Sequence, residues 1–267
     1  MGGIWINLNP DLVDKTYDFD DSEESTNLIG LQDEENWLVL RVSFPSMPHS
    51  LSKTDSLLLG AGSAQEYIYQ LSGGKSNLEV TVSSDVWVSE FDESYWGADS
   101  LNERDVGNSG RGIDKLVEES ATNLLSGMDL SEWDIDGDGI IDRLLILHSG
   151  SAQESGGSTD SIWSHFSTLM TPVKIDNWEI QHYTISSMES GLGTLIHEML
   201  HQMGAYDLYD VHSDIPSSNW NGLGDWDIMA SGNWNDNGNT PALPGAATLD
   251  LIGANRYSEL ELLTNST

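Results

Sequence analysis

The spacing of apolar residues along the chain predicts several short buried strands. Residues 37–44 are rich in Val, Leu and aromatic side chains, a composition typical of a strand. Similar apolar or alternating runs predict strands over residues 78–88, 144–148 and 183–188. The chain shows no internal repeat, and strands and helices are mixed along it, with two of the four predicted strands before the longest helix. This order favours one α+β domain built on a mixed sheet.

Apolar residues spaced three and four apart predict the helices. The clearest helix covers residues 112–125, and shorter ones are expected over residues 64–71 and 244–252. Another helix is predicted to begin near Gly193, directly after the last strand. Beyond Gly204 the chain is rich in Gly, Asn, Asp and Trp, so we expect an irregular lower half there.

Charge divides the chain into an arm and a domain. Residues 10–36 are polar and acidic, so we predict an N-terminal arm over residues 1–36 and a folded domain over residues 37–267. The whole chain has 44 acidic and 10 basic side chains, a formal net charge of −34. Most of this charge is expected on a hydrated surface. Without a basic stripe, nucleic acids and anionic membranes are excluded as partners.

Three further absences in the sequence restrict the class of protein. The chain has no cysteine, which excludes a disulfide scaffold, a thiol nucleophile and a thiolate-bound metal. No apolar run is long enough to span a bilayer. The start shows no basic region followed by an apolar stretch, so we expect either an intracellular protein or a chain that begins after a removed signal and pro-segment.

The predicted helix near Gly193 carries the pattern H-E-x-x-H. His197 and His201 are four residues apart, so one helix face presents both imidazoles to a single metal ion. Glu198 lies beside them, where it can accept a proton from water activated by that metal. Apolar residues around the motif favour burial of the helix.

The residues that follow extend the motif to a third ligand. Gly204 can end the helix, and the turn it permits brings Asp207 back toward the two imidazoles. His197, His201 and Asp207 then form a three-ligand zinc site with a fourth position open. Asp207 could instead be a turn residue at the helix end, and Asp210 and His212 are the nearest rivals as third ligand.

A methionine lies in a tight polar turn further along the chain. Met229 follows His197 by 229 − 197 = 32 positions, within residues 224–232. This resembles the Met-turn beneath the zinc of metzincin peptidases. The alternative is a methionine that fills an apolar gap in a loop.

A second metal motif lies over residues 134–142, which alternate Asp with other residues and contain two glycines. This spacing matches a calcium loop, although an EF-hand would need Glu at the place of Leu145. The alternative is an acidic surface turn. The expected calcium ligands are the carboxylates of Asp134, Asp136, Asp138 and Asp142 and the carbonyl of Ile140.

Together these motifs resemble the immune inhibitor A-like family of metallopeptidases. The likeness is carried by residues 207–210 (Asp-Leu-Tyr-Asp), 226–232 and, upstream, 39–45 and 162–165. It implies a metzincin-like catalytic domain over residues 37–267, with an active-site helix and a lower half that carries the Met-turn. It also implies a secreted zinc endopeptidase that acts on proteins or peptides, with calcium as a structural ion; we expect it to be a monomer.

In that mechanism zinc lowers the pKa of water and polarises the peptide carbonyl, while Glu198 moves the proton to the leaving amine. The oxyanion stabiliser stays open among four candidates, and His165 is a further histidine that could approach the cleft; His148 is expected in the core. The four candidates are Tyr206, Tyr209, Tyr257 and His182.

Two other functions compete with the peptidase. One is a calcium-stabilised adhesion or binding module with a degenerate zinc site, but the intact Glu198 argues against it because a structural zinc site does not need that carboxylate. The other is a metal-dependent hydrolase of a non-peptide amide, which only the shape of the pocket would distinguish.

Overall fold

The computed structural model describes residues 28–101, 103–108, 110–209 and 222–254. Most of the predicted acidic arm, residues 1–27, lies outside this part of the chain. The strands are β1 (Glu34–Ser43), β2 (Asn77–Val88), β3 (Leu144–His148), β4 (His165–Ile175) and β5 (Trp178–Ser187). The helices are α1 (Leu51–Leu58), α2 (Ala64–Leu71), α3 (Glu93–Gly97), α4 (Gly112–Leu125), α5 (Leu192–Gln202) and α6 (Ala246–Leu251), and short 3₁₀ segments cover Gln153–Ser155, Gly224–Trp226 and Ser231–Trp234.

The five strands form one mixed sheet in the order β2-β1-β3-β5-β4. Neighbours run parallel from β2 to β5, and β4 pairs antiparallel with β5 at the edge. Leu38 pairs with Leu144 in the middle of the sheet. The α+β class with a mixed sheet is therefore confirmed, and β2 and β4 are its two edge strands.

Alternate residues of the central strands enter two separate cores. Trp37 and Val39 of β1 pack on the face covered by α1, α2 and α5. Leu38 and Leu40 pack on the opposite face, which α4 covers. All four side chains are fully buried. The α5 helix is thus fixed against one face of the sheet, next to β5.

The structure agrees with the apolar pattern where burial is high. The helices at 64–71 and 112–125 and the strand at 144–148 have the expected bounds. The strand expected at 183–188 begins at Trp178, and β4 was not predicted because its residues are polar and half-exposed. The helix α1 was missed for the same reason.

The first strand also begins at Glu34 rather than at residue 37, inside the segment expected as an arm. Glu35 is completely buried there because it forms an ion pair with the buried Arg143. The Arg143 guanidinium also donates to the carbonyls of Ile29 and Gly30, at 2.9 Å each. A buried charge needs such partners, and this network explains why an acidic segment enters the sheet.

Across the described ranges, none of the helices combines the length and the apolarity needed to cross a membrane.

Candidate active site

The helix α5 is buried on nearly all sides, which fixes the direction of the side chains it carries. Leu195, Ile196 and Met199 face the core beneath the sheet. Near its start, Gly193 lies so close to the 3₁₀ segment at 231–234 that a Cβ would sit 1.9 Å from the Asn233 carbonyl oxygen. The helix and that segment can therefore touch only because residue 193 is glycine.

The two motif histidines and Asp207 meet at one point. The Nε2 atoms of His197 and His201 are 3.2 Å apart. Asp207 Oδ1 lies 3.1 Å from the first and 3.2 Å from the second. Ligand atoms about 2.0–2.1 Å from a tetrahedral zinc ion are about 3.3 Å from one another, so the three atoms have the spacing of such a site.

Hydrogen bonds on the far side of each imidazole orient the rings. His197 Nδ1 donates to the carbonyl oxygen of Ile228 and His201 Nδ1 to that of Ala205, both at 2.8 Å. In the neutral rings both Nε2 atoms then carry lone pairs that point inward. The buried Asp207 Oδ1 correspondingly has no hydrogen-bond donor. Three acceptors that face one another need a positive charge between them, so these residues fit a metal ion.

The pKa values show the same preference for positive charge. Burial lowers the pKa of His197, but the carboxylates of Asp207 and Glu198 outweigh it and raise that pKa above its ordinary value. Burial likewise raises the pKa of Asp207, yet the adjacent imidazoles of His197 and His201 bring it well below its usual range. A proton on one Nε2 and a metal cation are thus alternative occupants of the same space.

Glu198 lies beside the three facing atoms. Its carboxylate is within 4.8 Å of the imidazole nitrogens, and the backbone N–H of Phe166 on β4 donates to its Oε2 at 3.0 Å. The side chain is almost completely buried, and burial raises its pKa. Asp207 thus lies in direct reach of both imidazole nitrogens, with the Glu198 carboxylate close to the same nitrogens.

The chain reverses sharply to bring Asp207 back to the helix. Gly204 follows the helix end with φ +98°, a conformation that favours glycine. Ala205 N then donates to Leu200 O at 3.0 Å, and Leu208 N donates to Met229 O at 2.7 Å. Asp207 is therefore held between the end of α5 and the turn at residues 227–230.

That turn is organised by a residue the sequence did not single out. Asp227 is 1% exposed, and its carboxylate accepts hydrogen bonds from Met229 N at 2.8 Å and Gly245 N at 2.6 Å. The turn supplies both the Ile228 carbonyl that orients His197 and the Met229 carbonyl that holds the residue after Asp207. In so acidic a chain, no sequence signal distinguishes this aspartate from its neighbours.

Of the candidate oxyanion stabilisers, Tyr209 is the one that contacts a site histidine within the described residues. Its ring stacks on His197 with centroids 6.4 Å apart. Burial and the Asp207 carboxylate raise its pKa, so the hydroxyl keeps its proton. Tyr206 is largely exposed, and His182 is buried where it accepts from Gln202 Nε2 at 3.1 Å. Tyr257 and the rival ligands Asp210 and His212 lie outside the described residues.

Two other histidines have partners away from the site. His165 contacts the Trp163 carbonyl at 2.8 Å and the Tyr183 hydroxyl at 3.0 Å. His148 is fully buried and accepts from Gly150 N at 3.1 Å, as expected for a core histidine.

The aspartate loop of residues 134–142 also gathers its carboxylates. Those of Asp134, Asp136 and Asp138 lie within 4.8 Å of one another. Gly137 N donates to Asp134 Oδ1 at 2.9 Å, and Ile135 N donates to Asp142 Oδ2 at 2.6 Å.

The end of this loop joins the sheet. Ile140 forms a β-bridge with Glu179 on β5. Asp142 is 3% exposed, and burial raises its pKa to about 6. The loop thus joins three close surface carboxylates to a buried one at the edge of the domain.

Comparison with known proteins identifies the family to which this chain is similar. Residues 40–249 match the family model described as "Immune inhibitor A peptidase M6, catalytic domain". The chain is 30% identical over 204 residues to "Immune inhibitor A" of Bacillus thuringiensis subsp. alesti, covering 64% of this chain and 28% of that protein. It is 27% identical over 173 residues to "Pre-pro-metalloprotease PrtV" of Vibrio cholerae serotype O1, covering 53% of this chain and 18% of that protein. These matches therefore span less than a third of each relative.

Proposed function

Because the chain belongs to the immune inhibitor A peptidase M6 family, we propose that it is a zinc-dependent endopeptidase that hydrolyses extracellular proteins. The observation that carries the proposal is the set of three ligand atoms that face one another, 3.1 to 3.2 Å apart, with Glu198 beside them. The relatives named as a metalloprotease and as immune inhibitor A support a reaction of this class.

Zinc suits this donor set. Two imidazole nitrogens and one carboxylate oxygen, with a fourth position left open, are the ligands of a catalytic rather than a structural zinc site. His197, His201 and Asp207 would hold the ion. When bound, zinc supplies an acidified water and polarisation of the peptide carbonyl.

Glu198 would act as the general base. Its carboxylate lies within 4.8 Å of the imidazole nitrogens, and the Phe166 N–H binds Oε2, which would leave Oε1 to accept a proton from a metal-activated water. It would take a proton from that water during attack and give it to the leaving amine. Tyr209 would donate a hydrogen bond to the oxyanion, because its hydroxyl keeps its proton and its ring stacks on His197.

The turn at residues 227–230 would serve as the Met-turn of a metzincin-like lower half. Met229 is fully buried next to the core that contains α5. The carbonyls on either side of the turn orient His197 and hold the chain next to Asp207. This turn would lie beneath the zinc ion and hold two of its three ligands, His197 and Asp207, in position.

The aspartate loop would bind calcium for stability. Calcium prefers clustered carboxylate oxygens, and three of them already lie within 4.8 Å in a chain with a large excess of negative charge. Calcium is abundant outside cells, which agrees with a secreted protein. The expected ligands remain Asp134, Asp136, Asp138, the Ile140 carbonyl and Asp142.

The proposal is tested by cleavage of an unfolded protein in zinc and calcium buffer, with Glu198→Gln as the variant. At equal zinc content, we expect the variant to lose activity by at least about 1,000-fold, since the base is removed while the ligands remain. Glu189→Gln, an exposed carboxylate that pairs with Lys53, is the matched control. Equal cleavage by parent and Glu198→Gln would contradict the proposal.

A further inference from the structure

A cavity of about 320 Å³ lies against the β4 strand, outside the three-ligand centre. Its floor is apolar, since Ile113 and Tyr183 are 4% and 2% exposed. Met170 stands at its mouth with 83% of its surface exposed. The other lining residues used below are Arg104, Trp163 and His165.

The cavity is joined to the candidate active site through the start of β4. His165 lines the cavity, and the next residue, Phe166, donates its N–H to Glu198 at 3.0 Å. Because β4 is an edge strand, a peptide that lies beside Glu198 and runs along that edge would pass the mouth of this cavity.

Arg104 supplies a positive charge at that mouth. Its guanidinium carbon lies 3.6 Å from the centroid of the Trp163 ring, a cation–π contact that leaves the N–H donors at its edge available. Within the described ranges, no carboxylate oxygen comes within 4.0 Å of this guanidinium. A stacked but unpaired arginine is well suited to bind a carboxylate with two hydrogen bonds.

Three acidic residues line the cavity: Glu103 is exposed to solvent, while Asp105 and Asp114 accept hydrogen bonds from backbone N–H groups. Asp114 Oδ2 accepts from Met170 N at 3.2 Å. The buried Asp105 accepts from Trp163 N at 3.3 Å, and burial raises its pKa to about 8, so at neutral pH it is mostly uncharged. Arg111, also at the rim, lies 3.9 Å from Glu118. Among the described residues that line the cavity, the guanidinium of Arg104 is therefore available to bind a carboxylate of the substrate.

We propose that this cavity is a substrate subsite that selects an acidic side chain, above all glutamate, close to the bond that is cleaved. The methylene groups of glutamate would pack on Trp163, and its carboxylate would bind Arg104. The proposal rests on the proposed peptidase function. It concerns one side chain rather than the charge of the whole substrate, because a net charge of −34 repels acidic proteins at long range.

The test uses pairs of quenched fluorescent peptides that are identical except for Glu or Gln at one position near the cleaved bond. For the zinc-loaded parent we expect kcat/KM to favour Glu by about tenfold at one position, the size of a charge-assisted contact that is partly exposed to water. Arg104→Gln should bring the ratio of kcat/KM between the Glu and the Gln peptide to about one. With a third peptide that carries Lys at the same position, Arg104→Glu should make kcat/KM higher for the Lys peptide than for the Glu peptide.

Lys174→Gln is the matched control, since it removes one charge from the far end of the same strand, where Lys174 pairs with Glu179. Binding of the same peptide pairs to Glu198→Gln gives a readout without turnover. Preferential binding of the Glu peptide that depends on Arg104 would support the subsite even if no peptide is cleaved. Cleavage with equal Glu to Gln ratios in parent and Arg104→Gln would overturn the subsite and leave the peptidase intact.

Discussion

The three-ligand centre and the aspartate loop collect metal-binding side chains in opposite ways. At the centre, His197 and His201 are oriented by carbonyls of Ile228 and Ala205; His197 is buried, and His201 and Asp207 are partly buried. In the loop, all carboxylates come from residues 134–142 and several are held by the loop's own backbone N–H groups.

This difference separates two kinds of preorganisation. The centre depends on tertiary contacts, so residues that never touch the metal should control its affinity. The loop depends on its own sequence, so only local substitutions should affect it. The predictions below test this distinction in decreasing order of expected effect.

The largest effect is expected from removing a ligand at each place. His201→Ala should abolish zinc retention and lower peptidase activity by at least about 1,000-fold, because two remaining ligands cannot hold a catalytic zinc. Asp136→Ala should leave zinc content unchanged. Metal analysis after dialysis and a peptide assay measure both. Loss of zinc from the Asp136→Ala variant would show that the three-ligand centre and the aspartate loop do not bind their metals independently.

A remote substitution in the turn beneath the centre should weaken zinc binding. Asp227→Ala removes the acceptor for Met229 N and Gly245 N, so the Ile228 carbonyl loses its fixed position behind His197. We expect zinc affinity to fall by about 10- to 100-fold. Competition with a chromogenic chelator measures it. Asp225→Asn is the control, because Asp225 is an exposed aspartate just before that turn; this variant should bind zinc with the parent's affinity. Equal zinc affinities of the Asp227→Ala and Asp225→Asn variants would show that contacts of the turn do not control zinc binding.

Removal of calcium should lower thermal stability without removing zinc. A calcium-selective chelator leaves the close carboxylates of the loop without a cation, and we expect the unfolding temperature to fall by about 5 °C. Scanning calorimetry with zinc present measures this change. Asp134→Asn should unfold at a lower temperature and respond less to the chelator. An unchanged unfolding temperature in the parent would show that the loop binds no ion.

The smallest effect concerns buried carboxyls that lack a cation altogether. Burial raises the pKa of Glu93 from 4.5 to about 7, so the folded protein holds this proton more tightly than the unfolded chain. Glu93 accepts from Ile162 N and Ser151 N and faces a neutral, buried His148 and the carboxylate of Glu154. Its contribution to stability is present below about pH 4.5 and is lost as the pH rises through 7.

Glu93→Gln removes that titration. The amide can change the free energy of unfolding by an amount that does not depend on pH. Between pH 4.5 and 7 the parent loses stability and the variant does not, so the free energy of unfolding of the variant should rise relative to that of the parent. Urea unfolding at a series of pH values measures it. A difference that does not change with pH would show that Glu93 is ionised throughout, as a carboxylate beside a cation would be.

Sequence patterns predicted the parts of the fold that are buried and local. The β3 strand and α4 helix carry unbroken apolar signals, and the motif that contains His197 and His201 needs only one helix to bring its residues together. The hairpin partner β4 was missed because an edge strand can be polar on both faces.

The supporting residues of the site could not be predicted in the same way. Asp227 acts through a turn that meets α5 only in three dimensions. Arg104 and Trp163 are 59 positions apart and stack because the segment before α4 lies beside the start of β4. Such contacts follow from the packing of distant segments, which leaves no periodicity in the sequence.

The contacts of the buried Arg143 affect when the candidate site can form during synthesis. Its guanidinium contacts carbonyls of Ile29, Gly30 and Gln202, and Leu31 N pairs with Ile252 O at 2.7 Å. A nascent chain that has emerged only as far as Gln202 has both histidines but neither Asp207 nor the carbonyl behind His197. The three ligands and the carbonyl that orients His197 can therefore come together only after nearly the whole domain has left the ribosome. A partly synthesised chain would lack an assembled metal site.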